Sequence, residues 1–266
     1  MGFFENMKLE KLGKNAYNAH VQANDLQRRG RAGEAKAKYA EAMKLYNEAY
    51  DAGCRKQNTM MGHSVLLMRF GEFERAREMM KEISAMGHLS EDNHFELRVN
   101  YSICLWRMGI YDKALETIRY AGKHCKNSSY YSCLGTLLVE IAGKSGEDAD
   151  FEEARVLLDE AMEYDDEDAA TLDSYGEYYR QKGIWAAKAG NAEEAADWRR
   201  KAVESYEKAH KAKPSQVTSL HALARFAIED GDKEKAKALI DRALLHSGSK
   251  ICPVSVEELQ AMKAGL

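Results

Sequence analysis

The chain has 266 residues and a formal net charge of −4, with 39 lysines and arginines against 43 aspartates and glutamates, and 45% of its residues are hydrophobic. This balance leaves no general excess of positive charge for binding nucleic acid phosphates, and no run of about 18 apolar residues is present to span a bilayer. Only two prolines occur, whereas strong helix formers are abundant, which favours helices along most of the chain.

The first residues and the cysteines suggest where the protein is found. The opening stretch "MGFFENMKLEK" lacks the apolar core of a signal peptide. The five cysteines follow neither a disulfide framework nor the spacing of zinc ligands. We therefore expect a cytoplasmic protein that binds neither nucleic acid nor a membrane.

Residues 1–13 are interpreted as an N-terminal segment that precedes the first repeated pattern.

A pattern of small and apolar residues repeats from residue 14 to residue 248. The stretch "LMRFGEFERAREMM" at 67–80 is matched position for position by "LWRMGIYDKALETI" at 105–118. The second half of the pattern recurs at 201–214 and at 235–248. One alanine sets the register of each copy: these are Ala35, Ala76, Ala114, Ala154, Ala202 and Ala236.

The spacing around these alanines predicts helical hairpins. Apolar or small residues recur four and seven positions after each alanine, which places all three on one face of a helix. A second helix is predicted before each alanine, with a small residue of its own that lets the neighbouring helix approach closely. These small residues are Ala23, Ser64, Ser102, Gly135, Gly176 and Ala224.

The fourth and fifth copies are longer than the others. Gly135 and Ala154 are 19 residues apart, against 12 for the matching pairs in the second and third copies, and we expect the surplus to form an enlarged turn at "AGKSGED", residues 142–148. Gly176 and Ala202 are 26 residues apart. Both helices of the fifth copy are therefore predicted to be longer by about two turns of ~3.6 residues.

Three short motifs resemble sites for chemistry but lack residues that those sites need. "AGKS" at 142–145 resembles the end of a phosphate-binding loop, yet Leu138 stands where its first glycine belongs. "DDED" at 165–168 and "DGDKE" at 230–234 resemble calcium loops, but Ala170 and Lys235 occupy the position that requires glycine. We interpret the two acidic motifs as helix starts. No catalytic, cofactor or metal site is predicted, and the protein is not expected to be an enzyme.

These recurring positions resemble the tetratricopeptide repeat (TPR), in six units over residues 14–248, and we expect a bacterial member of that family. The resemblance implies an all-α fold: a right-handed superhelical solenoid of antiparallel helical hairpins with a concave inner side. Residues 249–266 are expected to form a C-terminal capping helix. Ser255 is predicted to cap this helix, with Glu257 and Glu258 in its first turn.

The resemblance also implies a binding surface, because in this family the first helix of each hairpin lines the concave groove. Counting positions within the units gives the predicted partner-binding residues: His20, Asn24, Arg28, Met61, Met68, Arg69, Asn100, Trp106 and Arg107. The three arginines hold equivalent places in the first three units, and arginines beside methionines and a tryptophan suit a peptide that carries carboxylates. A basic residue at that place is also common in the repeat pattern itself, so a purely structural role stays open.

We therefore predict a noncatalytic scaffold or adaptor that binds a peptide or helix of another protein in its groove. Two alternatives stay open: a regulatory receptor that senses signalling peptides, and an enzyme with its site in the enlarged turns of the fourth and fifth units. Residues 147–168 contain twelve acids and a single base, Arg155. This run is interpreted as a solvated outer helix face, and self-association of the chain through it is left open.

Overall fold

The structure is a computed structural model that describes residues 3–87 and 89–266, and these residues form thirteen α-helices and no β-strand. The predicted all-α fold class is therefore confirmed. The helices are α1 Phe3–Arg28, α2 Ala32–Asp51, α3 Gln57–Phe70, α4 Phe73–Ala85, α5 Glu91–Arg107, α6 Tyr111–Gly122, α7 Ser128–Ser145, α8 Asp148–Tyr164, α9 Ala169–Lys188, α10 Ala192–Ala212, α11 Val217–Glu229, α12 Lys233–His246 and α13 Val256–Ala264. Within the described ranges, no helix has both the length and the apolar character needed to cross a membrane.

The chain divides into two compact units. Unit 1 consists of residues 1–110 together with the short segment 249–251, and it contains α1 to α5. Its helices pack as the pairs α1 with α2 and α3 with α4, and the first helices α1, α3 and α5 touch one another in that order. Unit 2 consists of residues 111–248 and 252–266. There, α7 pairs with α8, α9 with α10 and α11 with α12, and α13 packs against α12.

The predicted packing register is confirmed by burial. All six alanines that set the register are at most 2% exposed, and so is each of the small or apolar residues seven positions later. The residues four positions after the alanines are also buried: Tyr39, Met80, Ile118, Leu158, Tyr206 and Ile240. Each buried large side chain contributes roughly 1.5 to 3 kcal/mol of hydrophobic free energy. Helix-to-helix packing along this one face thus supplies the core of each unit.

Helix starts follow the polar residues that the sequence marks. The side chains of Asp168 and Asp232 accept hydrogen bonds from the backbone N–H groups of Thr171 and Lys235, at 2.8 and 3.0 Å. Such caps satisfy N–H groups that have no partner inside the helix. The interpretation of "DDED" and "DGDKE" as helix starts is confirmed. Ser255 likewise accepts from the N–H of Glu258 at 2.9 Å, as predicted.

The terminal segments differ from the sequence-based boundaries. Helix α1 begins at Phe3 and continues without a break to Arg28, so residues 3–13 belong to the first helix rather than to a separate segment. Helix α13 covers only Val256–Ala264. Residues 249–255 are irregular, and they include Pro253, which has no N–H to donate within a helix.

The expected enlarged turn in the fourth unit is wrong, whereas the lengthening of the fifth is confirmed. Helix α7 continues through 142–145, and only two residues separate it from α8, because Gly146 ends α7 in the left-handed region at φ +72°. The surplus residues extend α7 beside the long helix α9: the indole Nε1 of Trp185 donates to the carbonyl of Gly143 at 3.1 Å. Helices α9 and α10 have 20 and 21 residues, against 14 and 13 for α3 and α4.

The packing predicts that a residue larger than glycine at position 176 destabilises the protein. A Cβ atom at this position would lie 2.7 Å from the ring of Tyr206, which is 2% exposed and cannot move aside. We expect Gly176→Ala to lower the free energy of unfolding by roughly 1 to 3 kcal/mol. The measurement is urea unfolding followed by circular dichroism. The matched control is Gly33→Ala, a helical glycine with nothing within 4 Å of its would-be Cβ, which should be neutral or stabilising.

Candidate functional site

Unit 1 contains an open cavity of about 840 Å³, lined mainly by residues of its first helices α1, α3 and α5, together with Tyr39 of α2, Lys56 and Ile251. These three helices lie side by side and turn equivalent faces to the cavity, because the repeat places the same positions of each first helix inward. Four asparagines are part of the lining: Asn24, Asn58, Asn93 and Asn100. Each asparagine amide carries both a donor and an acceptor. The cavity therefore offers amide donors and acceptors from α1, α3 and α5.

Arg69 is a partly buried cation in the lining of the cavity. Its guanidinium carbon lies 3.7 Å from the centre of the Tyr39 ring, and Nη2 donates to Oε1 of Gln27 at 3.1 Å. Burial lowers the pKa of Arg69 from its usual value, although an arginine still keeps its charge at neutral pH. Neither contact is a carboxylate, and none of the described carboxylates forms an ion pair with Arg69. A partly buried positive charge therefore faces the cavity without a counter-ion.

The Tyr39 side chain holds Arg69 in place and belongs to the repeat core. Tyr39 is 4% exposed, and its hydroxyl lies 2.7 Å from Oδ1 of Asn24 and 2.7 Å from Oε1 of Gln27. Burial raises the pKa of Tyr39, so the phenol is neutral and can donate one of these hydrogen bonds. The packing position four residues after Ala35 thus supplies both the ring under the guanidinium and a link to two amides.

Two histidines in unit 1 are kept neutral. His20 lines the cavity, with Nδ1 3.4 Å from the hydroxyl of Tyr46, and burial together with the charge of Arg69 lowers its pKa to about 4. His63 is 1% exposed, stacks on Tyr46 at 5.4 Å and lies 3.1 Å from Oδ1 of Asn47. Burial, together with Arg75, lowers the pKa of His63 to about 4. His20 therefore acts as a neutral polar group in the cavity at physiological pH.

Apolar side chains on α1 form one wall of the cavity. Tyr17 and Val21 are 53% and 43% exposed, and both lie close to His20 along the lining face. The charged lining comprises Lys14, Lys56 and Arg69 against two glutamates, and one of these, Glu10, forms an ion pair with Lys56. The surface thus combines exposed apolar groups, amides and a small excess of positive charge.

The structure gathers five of the nine predicted site residues at this cavity. His20, Asn24, Met61, Arg69 and Asn100 line it.

The other four predicted residues lie outside the lining. Arg28 has a side chain that is 76% exposed and pairs with Asp25 at 3.5 Å. Met68 and Trp106 are 1% and 8% exposed and serve packing. The guanidinium carbon of Arg107 lies 5.9 Å from the ring centre of Trp106. The equivalent places of the three arginines in the repeat therefore do not give them equivalent surroundings.

Sequence reasoning missed two kinds of lining residue. Val21 has a signal that was available, since it stands beside His20 on α1 and one turn from Tyr17, which the counting of repeat positions does reach. Ile251 had none, because it lies 182 residues after Arg69 and outside any repeat.

The inner helices of unit 2 carry a different polar cluster. Glu177 accepts two hydrogen bonds from Arg180, at 2.7 and 2.6 Å, and one from the hydroxyl of Tyr206 at 2.8 Å. Burial opposes ionisation of Glu177, but these donors lower its pKa below the usual value. Asp173 has no such cation: burial raises its pKa to about 6, although it accepts a hydrogen bond from the hydroxyl of Ser219 on α11.

The acidic run at 147–168 is partly neutralised within unit 2. Arg155 pairs with Glu152 at 2.6 Å and also contacts Asp159. Lys126 pairs with Glu160 at 2.5 Å. These contacts fit the interpretation of the run as a solvated helix face. Among the described residues, no three His, Cys, Asp or Glu side chains come together in a way that could hold a metal ion.

Solved structures share this fold. No protein-family model matches the sequence, and no curated protein matches it. A thermophilic TPR protein of Thermus thermophilus, TTC0263, superposes with a TM-score of 0.58 at 17% identity, over 79% of this chain and 98% of its own. A monomeric mutant of IFIT1 with Gppp-AAAA gives 0.61 at 18% identity, over 85% of this chain and 49% of its own. The human IFIT1 dimer with PPP-AAAA gives 0.58 at 18% identity, over 83% and 48%.

The likeness establishes the TPR fold, as the repeated residues predicted. At this level of identity it establishes nothing beyond the fold. The chain spans about half the length of the IFIT1 chain that it matches.

Burial of His63 predicts that acid destabilises the protein. Its pKa is about 4 in the folded protein against 6.5 in an unfolded chain, so its contribution is present above pH 6.5 and is lost as the pH falls through 6.5 toward 4. We expect His63→Gln to reduce the loss of unfolding free energy between pH 7 and pH 5, by up to about 2 kcal/mol. Urea unfolding at both pH values is the measurement. His124→Gln, at an exposed histidine, should reproduce the wild-type dependence.

Asp173 should have the opposite dependence on pH. Its pKa is raised from 3.8 to about 6, so the stability linked to its protonation is fully present below pH 3.8 and is lost as the pH rises through 6. We expect Asp173→Asn, which mimics the neutral acid, to be more stable than wild type at pH 7.5 by up to about 3 kcal/mol. Thermal unfolding at pH 7.5 checks this. Asp166→Asn, at an exposed aspartate, should stay within about 0.5 kcal/mol.

Proposed function

We propose that the chain is a noncatalytic interaction scaffold whose unit 1 cavity binds an extended, acidic segment of another protein. The observation that carries the proposal is Arg69: a partly buried guanidinium, stacked on Tyr39 and held by Gln27, which faces the cavity and forms no ion pair with any carboxylate in the described part of the chain. A carboxylate supplied by a ligand would complete this arrangement with a charge-assisted hydrogen bond, which is roughly twice as strong as one between neutral groups.

The remaining lining suits a peptide in an extended conformation. Asn24, Asn58 and Asn100 stand on the three first helices α1, α3 and α5, so their amides are spread along the cavity rather than gathered at one point. An extended peptide presents its backbone N–H and C=O groups in such a row. Tyr17 and Val21 add exposed apolar surface that an apolar side chain of the ligand would cover. Aromatic anchors of this kind account for much of the binding energy in protein interfaces.

Binding is favoured over catalysis by the state of the titratable groups. The His20 side chain has a pKa far below neutrality, so it is a poor general acid or base near pH 7. Arg69, with its permanent charge, orients an anion but does not exchange protons. The alternative of an enzyme in the fourth and fifth units loses support as well, because the enlarged turn on which it depended is a continuation of helix α7. We place this scaffold in the cytoplasm, as the sequence led us to expect.

The experiment is binding to an array of immobilised random dodecapeptides. Purified wild-type protein is compared with Arg69→Gln, which removes the charge but keeps a polar side chain near Gln27. We expect wild-type protein to select peptides rich in aspartate and glutamate, and Arg69→Gln to bind them at least about tenfold more weakly, since a hydrogen bond to a charged group contributes roughly 1.5 to 3 kcal/mol.

The control is Arg29→Gln, whose side chain is 67% exposed, pairs with Asp25 and is not part of the cavity lining. This variant makes the same chemical change and should bind like wild type. Circular dichroism confirms that each variant keeps its helices. Equal binding by Arg69→Gln and wild type, or selection of peptides without acidic residues, would contradict the proposal.

A further inference from the structure

A segment distant in sequence forms part of the cavity of unit 1. Residues 249–251 come shortly after α12 in the chain, and Ile251 is one of the lining residues. The backbone N–H of Lys250 donates to the carbonyl of Arg69 at 2.9 Å. Because consecutive Cα atoms are only ~3.8 Å apart, this bond places Ile251 at the same end of the cavity as Arg69.

The end of helix α3 fixes where Ile251 stands. Arg69 is the second-last residue of α3, and the last four carbonyls of a helix have no donor within it, so the carbonyl of Arg69 can accept from Lys250. Gly71 ends the helix at φ +85°, and a Cβ there would lie 3.3 Å from Cγ of Lys250, so the absent side chain lets the segment approach. Ile251 packs, partly buried, against the hydrophobic core of unit 1. It is therefore a fixed part of the lining.

A second apolar side chain of the lining stands next to Arg69. Val65 lies one turn before Arg69 on α3, so the two Cβ atoms are roughly 5 to 6 Å apart. Val65 packs, partly buried, against the same core as Ile251. Both side chains are branched at Cβ, which restricts their rotation about χ1. The apolar wall near Arg69 therefore has a stiff shape, and a stiff wall discriminates between side chains by their size.

We propose that Ile251 determines the specificity of the cavity: with Val65, it sets the size of an apolar side chain that the peptide carries two residues from the carboxylate bound by Arg69. This inference rests on the proposed function. In an extended peptide, side chains two residues apart point the same way and lie about 6.6 Å apart, close to the spacing of Arg69 and Val65. The ligand is thereby narrowed from any acidic segment to one with an apolar residue in fixed register with its acid.

The apolar side chains on α1 are less suited to measuring size. Tyr17 and Val21 are 53% and 43% exposed, so a larger ligand side chain beside them extends into solvent. Ile251 is held between the core of unit 1 and the cavity, so a larger side chain beside it has to displace atoms. Size selection is therefore expected at Ile251 rather than along α1.

The test uses the full chain and the acidic dodecapeptides that wild-type protein selects on the array. Each peptide is resynthesised with alanine, valine, leucine or phenylalanine at the positions two residues before and two residues after its acid, and dissociation constants are measured by isothermal titration calorimetry. The variants are Ile251→Val and Ile251→Ala, which shorten the side chain stepwise and keep the backbone N–H of Lys250. The control is Leu245→Ala, at an aliphatic residue that is 62% exposed on α12 and is not part of the lining.

We expect the affinity for the leucine-bearing peptide relative to the alanine-bearing one to rise about fourfold in Ile251→Val, the value for one buried CH₂ group, and further in Ile251→Ala. The rise should occur at one of the two varied positions, because only one of them faces Ile251. Leu245→Ala should keep the wild-type ratios. Replacing the acid of the peptide by its amide should weaken binding to all four proteins alike, because each of them keeps Arg69.

These ratios separate a role in specificity from a role in stability. Each ratio compares two peptides on the same protein, so a loss of stability that weakens all binding leaves it unchanged. Ratios that match wild type in both Ile251 variants, while acidic peptides still bind, overturn the specificity role and leave the proposed function standing. Failure of wild-type protein to bind any acidic peptide overturns the proposed function, and this inference with it.

Discussion

Close approach between helices at small residues is the constraint on which the rest of the structure depends. Each hairpin brings two helices together where one carries alanine, serine or glycine and the other carries a large buried side chain. The contact of Gly176 with Tyr206 shows how little space is left between the helices, since even a methyl group at the glycine would clash with the ring. Because interiors are packed at the density of organic crystals, such contacts fix the position of one helix against the next. The inward faces of α1, α3 and α5, and hence the cavity, follow from these distances.

The same packing positions do more than fill space. Tyr39 stands at the core position four residues after Ala35, and its ring carries Arg69 while its hydroxyl reaches Asn24 and Gln27. The repeat therefore supplies the support of the cavity as well as the scaffold around it. In unit 2 the equivalent position is Tyr206, whose hydroxyl donates to Glu177. One structural position thus places a phenol beneath a cation in one unit and beside a carboxylate in the other.

Periodic features of the fold could be predicted from the sequence, and unique contacts could not. The alanine register, the helix starts at Asp168, Asp232 and Ser255, and the long helices of the fifth unit all depend on local spacing, which the sequence displays directly. The continuation of α7 through 142–145 depends instead on α9, whose Trp185 bonds to the carbonyl of Gly143. For the cavity, counting repeat positions found five residues but also grouped Arg28 and Arg107 with Arg69, because repeat position alone does not tell which arginine lines the cavity. Ile251 lay beyond any such counting, since a contact across 182 residues leaves no periodic trace.

The charge of Arg69, which no described carboxylate pairs, affects both the free energy of unfolding and the free energy of ligand binding. Withdrawing a guanidinium from water without a counter-ion opposes folding, and holding it in one plane on Tyr39 removes side-chain entropy before any ligand arrives. Both effects lower the free energy of unfolding, and neither has to be overcome again when a ligand binds. An apolar residue of similar size at position 69 would stabilise the folded protein but could not bind the carboxylate of the proposed ligand, so in that proposal the arginine lowers stability and favours binding.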